Sequence, residues 1–278
     1  MYPSDINQIL TLAAIAILTF AISRWLPIGH PRSAREPVHA DRQPRTNHHS
    51  LNGRTFRMRG VPLEWDAARV LSFLTEHYGS AKPVIKSLAP EIGGRFRTGT
   101  VVFLDAVSPP DALQTGSPWR ISLPRRETDQ ATCDESLMLD DDFHGITTLF
   151  APPPDDHKVD IVALSGLGGH AFGSFKERKG THMWLRDSLP YDLTRENTGR
   201  PMARVMTYGY ESSVVQSKNI QNLEDLATSL HNSLLALVGT PTIKPLILVA
   251  HSLGGLIVKQ VSTTGYSPGT DSNARGRQ

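Results

Sequence analysis

An apolar segment that runs without a break into a serine-containing turn constrains this chain more than any other feature. Residues Leu246 to Ala250 are all apolar, the sequence His251-Ser252-Leu253-Gly254-Gly255 follows at once, and a helical pattern begins at Leu253. A short, continuous apolar run bounded by a turn predicts a strand that is buried on both faces. The sequence therefore predicts a strand, a sharp turn and a helix in direct succession.

Strands and helices alternate throughout the region that ends in this turn. The predicted strands are Val159–Leu164, Ala203–Tyr208 and Pro245–Ala250, and the predicted helices are Ile220–Leu237 and Leu253–Val261. In the longer helix, apolar residues recur at spacings of three and four, which indicates one buried face. Apolar strands that alternate with helices are typical of a parallel sheet covered on both sides. We therefore expect an α/β domain over residues 159–278.

Residues 53–125 follow a different pattern. The predicted strands are Thr55–Gly60, Pro83–Leu88, Thr98–Leu104 and Trp119–Leu123, with a helix at Asp66–His77. This order predicts a small ferredoxin-like or RRM-like α+β domain, whose second helix is reduced to a proline-rich stretch near residues 111–114. Residues 31–52 are rich in Pro, Arg, His and Asn and predict a linker, and residues 126–158 predict an acidic connector.

RNA binding is the specific function that an RRM-like sheet suggests, but the residue types argue against it. Thr98 and Thr100 stand where stacking aromatic residues belong on the third strand, and Arg57 takes the equivalent place on the first. RRM sheets bind bases mainly by stacking them on such rings. The net charge of +2 gives no further reason to expect nucleic acid. We expect no nucleic-acid partner and assign this domain a structural role or a protein partner.

Residues 1–30 predict a membrane anchor. From Ile6 to Ser23 the chain has 18 residues without a charge, which as a helix would span roughly 27 Å. Trp25 follows at the expected interface, and the arginines lie downstream, which places the soluble part on the cytosolic side. The candidate membranes are those of the endoplasmic reticulum and the mitochondrion. A buried helix or an atypical signal sequence is the alternative, although only Asp5 precedes the apolar run.

The turn at Ser252 has the residue types of a nucleophile elbow. A serine on such a strand-to-helix turn exposes its hydroxyl, and small neighbours prevent collisions between the helix and the strand. The backbone N–H of Leu253, at the start of the helix, would stabilise an oxyanion. Ala250 replaces the usual first glycine of the motif with the smallest alternative. We therefore predict Ser252 as a catalytic nucleophile, with an ordinary strand–turn–helix as the alternative.

A second glycine-rich stretch follows the strand Val159–Leu164. In a serine hydrolase, the backbone N–H of Gly166 or Leu167 would complete the oxyanion hole. Gly166, Gly168 and Ala171 also match a dinucleotide-binding fingerprint, with Asp187 placed for a ribose contact. Because charged residues rather than an apolar helix follow at 176–179, NAD binding is the weaker alternative, and no cofactor is predicted. The single cysteine of the chain, at position 133, gives no metal-binding pattern either.

Five short stretches together resemble a known family. They lie at residues 143–147, 166–170, 183–187, 206–210 and 251–255. Residues 143–260 are similar to the lipase/esterase-like domain of fungal α/β-hydrolases related to serine active-site containing protein 1. The resemblance implies an α/β-hydrolase fold, acyl-ester hydrolysis or lipid remodelling at membranes, or use of the fold as a module, with Ser252 as the nucleophile. Ser165 stands where many relatives carry His.

The residues that would activate Ser252 are not evident in the sequence. The hydroxyl needs a histidine to remove its proton and an acid to orient that histidine, and in this fold both follow the serine. No histidine follows His251, and only 26 residues follow Ser252. His251 is expected to point away, and His170 and His182 are expected to be structural.

The prediction from the sequence is thus a membrane-anchored serine esterase or lipase-like protein on a C-terminally truncated α/β-hydrolase sheet. Its expected substrate is a lipid or another acyl ester, and we expect the chain to be inactive as it stands. The alternatives are a non-catalytic protein-interaction module and, less favoured, an NAD-binding protein.

Overall fold

The computed structural model of this protein describes residues 54–105, 118–124, 135–178, 180–212, 222–238 and 244–264. Within these ranges the chain forms two sheets and five α-helices. The strands are β1 (Thr55–Pro62), β2 (Pro83–Pro90), β3 (Phe96–Phe103), β4 (Trp119–Ser122), β5 (Ser136–Asp140), β6 (Gly145–Phe150), β7 (Val159–Leu164), β8 (Ala203–Gly209) and β9 (Leu246–Ala250). The helices are α1 (Ala67–Tyr78), α2 (Trp184–Asp187), α3 (Leu189–Asp192), α4 (Leu223–Val238) and α5 (Leu253–Thr264).

The first sheet has five strands in the order β2-β3-β1-β5-β4, and every neighbouring pair is antiparallel. Helix α1 covers one face of it. The helix begins where the Asp66 side chain accepts a hydrogen bond from the amide of Arg69 at 2.8 Å, which caps the first turn. Val70, Phe73 and Leu74 recur at helical spacing and are buried in the core beneath the helix.

The second sheet has four strands in the order β6-β8-β7-β9. Strands β8, β7 and β9 are parallel to one another, whereas β6 runs antiparallel to β8. Helices α4 and α5 cover one face through a core that includes Leu230 and Ile257. The other face packs on a second core that includes Phe172, Met183 and Leu185. The parallel register places the ends of β7 and β9, Leu164 and Ala250, side by side.

Polar side chains connect the two sheets. The face of the first sheet that lies opposite α1 carries Arg57 and Thr100, which are 3% and 0% exposed. Arg57 donates to the hydroxyl of Thr147 in β6 at 3.0 Å. Arg186 in α2 donates to the hydroxyl of Thr100 at 3.3 Å. The face on which an RRM would stack bases is therefore covered by the second part of this molecule.

The predicted fold class is wrong. An α/β-hydrolase parallel sheet preceded by a four-stranded RRM-like domain was expected, but the second sheet is mixed, because β6 is antiparallel to its neighbour, and the antiparallel first sheet has five strands. Strands β5 and β6 lie within residues 126–158, which the sequence pattern indicated as a connector. Strand β5 adds a fifth strand to the first sheet by pairing with both β1 and β4.

The predicted single-pass membrane anchor must also be corrected. Of the helices in the described ranges, none is long and apolar enough to cross a membrane. The longest, α4, has 16 residues, or roughly 24 Å against the 30 Å or so of a hydrocarbon core, and its first turn carries Glu224 and Asp225. Residues 6–23, on which the prediction was based, lie outside the described residues.

Candidate functional site

The Ser252 turn joins β9 to α5 in a strained backbone conformation. Ser252 has a φ of +52°, in the left-handed region that costs a residue other than glycine about 1–2 kcal/mol. The amide of His251 continues the ladder to β7 by donating to the carbonyl of Leu164 at 3.2 Å. The amide of Gly255 donates to the carbonyl of Ser252 at 2.9 Å and closes the first turn of the helix. The turn thus holds the exposed Ser252 side chain at the carboxyl end of β9.

Two glycines allow this turn to lie directly against the segment that follows β7. A Cβ atom added to Gly166 would lie 2.9 Å from the Cβ of Ser252 and 2.9 Å from Nδ1 of His251. A Cβ atom added to Gly254 would lie 2.6 Å from the carbonyl oxygen of Ser165. With contacts this short, a side chain at either position would force the neighbouring atoms to move. The structure therefore brings Ser252, Leu253, Gly166 and Leu167 together at one edge of the second sheet.

Three backbone amides lie at this edge of the second sheet. In the described part of the chain, the N–H groups of Gly166, Leu167 and Leu253 donate to no protein acceptor. The amide of Leu253 is free because it lies in the first turn of α5, where a helix has no internal acceptor. Free amides beside a serine hydroxyl are the groups that stabilise the oxyanion of an acyl-transfer reaction.

Strand β8 and the residues after it hold the glycine-rich loop, which we define as Ser165–Gly169. The hydroxyl of Tyr210 donates to the carbonyl of Ser165 at 2.8 Å, and the hydroxyl of Ser212 donates to the carbonyl of Gly169 at 2.5 Å. The amide of Gly168 donates to the carbonyl of Ser212 at 2.9 Å. Burial raises the pKa of Tyr210, which keeps this hydroxyl protonated and able to donate.

The sequence pattern gave no role to Tyr210 or Ser212. The stretch 206–210 is notable in the sequence only as part of the family resemblance. The available signal was the position of both residues directly after a strand that is parallel to β7, since the carboxyl ends of parallel strands meet at one edge of a sheet. That position would have placed their hydroxyls beside the glycine-rich loop.

The described histidines near the site do not activate Ser252. Both ring nitrogens of His170 are engaged, by the carbonyl of Asp141 and by backbone amides. His182 shares a hydrogen bond of 2.9 Å with the hydroxyl of Ser188. His251 is adjacent to Ser252, but no hydrogen bond joins their side chains. The Ser252 hydroxyl has no hydrogen-bond partner among the residues that the structure describes.

The residues that match a dinucleotide-binding fingerprint do not form the strand–turn–helix unit of a dinucleotide-binding site. After Ala171 the chain forms a short 3-10 turn, Gly173–Phe175, instead of the long helix that follows such a fingerprint. Burial alone would raise the pKa of Asp187, but hydrogen bonds from Arg186 and from the amide of Met183 outweigh it and hold that pKa below its ordinary value. The Asp187 carboxylate is therefore ionised and committed to these two partners.

A cleft of about 360 Å³ lies between the two sheets, and neither Ser252 nor the glycine-rich loop lines it. Some of its polar side chains are paired: the hydroxyls of Ser87 and Thr100 lie 2.8 Å apart, and Arg186 donates to Asp187 at 2.6 Å. Within the described ranges, no three His, Cys, Asp or Glu side chains converge to hold a metal ion. The cleft is lined by Lys86, Ser87, Leu88, Leu149, Phe150, Ala151, Arg186, Asp187 and Tyr191.

Comparisons with known proteins give no family for this chain. No family model matches it, and neither the curated proteins nor the solved structures include a significant match. The resemblance to lipase/esterase-like domains stays a prediction that these comparisons do not test. The geometry at Ser252 is therefore the basis for assigning a function.

Proposed function

We propose that Ser252 is the nucleophile of an esterase-like site that accepts the acyl group of an acyl ester. One observation carries the proposal: an exposed serine on a left-handed turn lies against the loop that supplies free backbone amides. Strained backbone conformations cluster at functional sites because the surrounding structure must maintain them. Here close glycine contacts and a helix N-terminus maintain the turn at Ser252.

The proposed chemistry is acyl transfer to the Ser252 hydroxyl. Oγ attacks the carbonyl carbon and loses its proton, and the electron pair of the C=O bond moves to the carbonyl oxygen. The free amides of Leu253 and of Gly166 or Leu167 would stabilise that oxyanion. The bond to the alcohol then breaks, the alcohol leaves with a proton, and attack by water on the acyl-serine releases the carboxylic acid.

Among the described residues, no side chain is placed to accept the proton from Ser252 as a general base. A positioned general base contributes roughly 10²–10⁴ to the rate of such a step. We therefore expect Ser252 to be labelled covalently by a fluorophosphonate but not to turn over short acyl esters at a measurable rate. Hydrolysis of p-nitrophenyl butyrate by the wild type should not exceed that by Ser252→Ala.

Covalent labelling with a fluorophosphonate tests the proposal. The wild-type protein should be labelled at one site, identified as Ser252 by mass spectrometry of the labelled peptide. Ser252→Ala should lose the label. Ser72→Ala removes an exposed serine of α1 and is a matched control that should label like the wild type. A folded wild-type protein that takes no label, or a label that persists in Ser252→Ala, would contradict the proposal.

A non-catalytic interaction module is the second candidate, and the exposed edge of β9 favours it. Strand β9 pairs with β7 on one side and with no described strand on the other, and its Ile247 is 37% exposed. An open apolar edge of this kind can pair with a strand from another chain. The labelling experiment separates the two functions, because a scaffold needs no reactive serine.

A further inference from the structure

His170 takes part in no catalytic step proposed above. One of its ring nitrogens accepts hydrogen bonds, and the other donates one. Nδ1 accepts hydrogen bonds from the amides of Phe172 at 3.1 Å and Gly173 at 2.9 Å. Because two N–H donors point at Nδ1, the proton of the neutral ring must reside on Nε2. Nε2 then donates to the carbonyl oxygen of Asp141 at 2.6 Å. The ring thus caps its own turn and reaches a separate segment.

The segment that His170 reaches is fixed to the first sheet by a buried charge pair. Nε of Arg57 lies 3.0 Å from each carboxylate oxygen of Asp140, and the two side chains are only 4% and 8% exposed. The same guanidinium donates to the carbonyl of His144 at 2.7 Å. The Asp140 carboxylate also accepts the amide of Phe143 at 3.1 Å. The turn from Asp140 to His144 is therefore a rigid support for the carbonyl of Asp141.

The glycine-rich loop needs such a support at its downstream end. Three of its five residues are glycines, whose backbone has the largest conformational freedom. Tyr210 and Ser212 hold the loop itself from the side of β8. His170 follows the loop directly and attaches it to the other half of the molecule. Phe143 and Phe172 add a ring contact there, with centroids 5.1 Å apart.

We infer that His170 is a positioning residue for the Ser252 site. Its Nε2–H bond to Asp141 holds the glycine-rich loop against the Ser252 turn, so that the amides of Gly166 and Leu167 stay in place for an oxyanion. Through this bond the first sheet acts on the reactivity of Ser252. The inference rests on the function proposed above for Ser252.

Two substitutions separate the contacts of Nδ1 from the contact of Nε2. His170→Asn places an acceptor near the position of Nδ1 and keeps the cap, but it is too short to reach Asp141. His170→Gln places an amide N–H near the position of Nε2 and keeps the reach, but it lacks the close acceptor. The exposed position of His170 lets both variants fold without a cavity in the core.

The rate of fluorophosphonate labelling at Ser252 is the first measurement. In His170→Asn, we expect the maximal labelling rate to fall by about tenfold or more, since small displacements of catalytic groups have effects of this order. The concentration of probe at half-maximal rate and the thermal midpoint should stay at wild-type values, and His170→Gln should recover most of the rate. A wild-type rate in His170→Asn, an equal loss in His170→Gln, or a rate that falls only with the thermal midpoint would overturn the inference.

Amide hydrogen exchange distinguishes failure of this inference from failure of the proposed function. The amides of Gly168 and Gly169 are hydrogen-bonded to Ser212 and Gly166, so their exchange reports opening of the loop. If the wild type takes no label, the proposed function fails, and exchange alone then decides on the inference. Faster exchange of both amides in His170→Asn, restored in His170→Gln, supports it, and unchanged exchange overturns it.

Discussion

The polar groups between the two sheets and those at the Ser252 turn are held in opposite ways. Between the sheets, Arg57 and Asp140 are buried, and their charges are met by each other, by backbone groups and by Thr147. At the turn, Ser252 is exposed, its backbone is strained, and its hydroxyl bonds to nothing in the described residues. The first arrangement is typical of groups that maintain a structure, and the second is typical of groups that bind a ligand.

The difference follows from what water can do in each place. A buried charge or N–H group that loses its partner keeps a large desolvation penalty, so a stable protein satisfies nearly all such groups internally. An exposed amide at a helix start is solvated instead, and it can exchange water for a carbonyl oxygen at little cost. We therefore expect substitutions between the sheets to change the free energy of unfolding strongly and substitutions at the Ser252 turn to change it little. For the rate of labelling at Ser252, we expect the larger effects from substitutions at the turn.

The largest effect is expected on removing one partner of the buried pair. Arg57→Met leaves the Asp140 carboxylate buried without its main partner, which we expect to lower the free energy of unfolding by about 3–5 kcal/mol. Urea unfolding followed by circular dichroism measures the change. Because desolvation is the cause, the double variant Arg57→Met/Asp140→Asn should recover part of the loss.

An exposed arginine next to this pair provides the control. Arg54 pairs with Asp141, and its side chain is 48% exposed. Surface ion pairs contribute about 0–1 kcal/mol, so Arg54→Met should be close to neutral. Equal losses in Arg57→Met and Arg54→Met would show that burial of the pair between the sheets is not what makes it important.

Two adjacent glycines in α5 test the close packing at the Ser252 turn. In Gly254→Ala the new methyl group would meet the carbonyl of Ser165 at 2.6 Å and Cβ of Leu164 at 3.0 Å. Overpacking of this kind costs about 1–3 kcal/mol, and we also expect slower labelling of Ser252 because the helix must move.

Gly255→Ala is the matched substitution one residue away. A Cβ atom at Gly255 has no neighbour within 4 Å. Replacing a helical glycine by alanine gains about 0.5–1 kcal/mol, so Gly255→Ala should stabilise the protein and leave labelling unchanged. If Gly254→Ala and Gly255→Ala changed the free energy of unfolding equally, α5 and the glycine-rich loop would not be in close contact at Gly254.

The Asp187 carboxylate near the sheet junction gives a pH-dependent effect. Its pKa is lowered from the ordinary 3.8, so its stabilising contribution is complete above that value and is lost as the pH falls through the lower, folded-state pKa. Asp187→Asn should lower the free energy of unfolding by about 1 kcal/mol near neutral pH. The difference from the wild type should shrink below about pH 4.

The exposed Asp192 provides the control for this measurement. Asp192→Asn should change stability by less than about 0.5 kcal/mol at every pH. Urea unfolding at several pH values follows both variants. A difference for Asp187→Asn that grows as the pH is lowered would contradict the assigned direction of the pKa shift.

The local elements of this fold were predictable from the sequence, and the pairing of the strands was not. The strand at Val159–Leu164 and the helix that begins at Leu253 are observed where periodicity places them. Strand β5 was missed because it is short and lies in an acidic stretch. Its place in the first sheet depends on a partner about 80 residues earlier, as the pairing of Asp140 with Arg57 shows. Local patterns carry no information on such long-range pairs.

The candidate site likewise has a part that was predictable from the sequence and a part that was not. The turn around Ser252 was predictable because its strand, small residues and helix are contiguous in sequence. The groups that hold the glycine-rich loop act across long separations, as when Tyr210 bonds to Ser165 and His170 bonds to Asp141. Nothing in the residue types of Tyr210 or His170 distinguishes these bonds from ordinary surface contacts. Only the packing of the two sheets brings the partners of these bonds together.

The smallest effect is expected from relief of the strain at Ser252. Glycine adopts a φ of +52° without the steric cost that Ser252 bears, so Ser252→Gly should raise the free energy of unfolding by about 0.5–1 kcal/mol after the extra flexibility of glycine is subtracted. Ser252→Ala keeps the strain and should gain nothing. Lys82→Gly, at another left-handed residue with a φ of +48°, should gain a similar amount without loss of labelling, whereas both Ser252 variants lose the label. A loss of stability in Ser252→Gly would mean that the Ser252 side chain supports the turn, which would place Ser252 with the structural polar groups between the sheets.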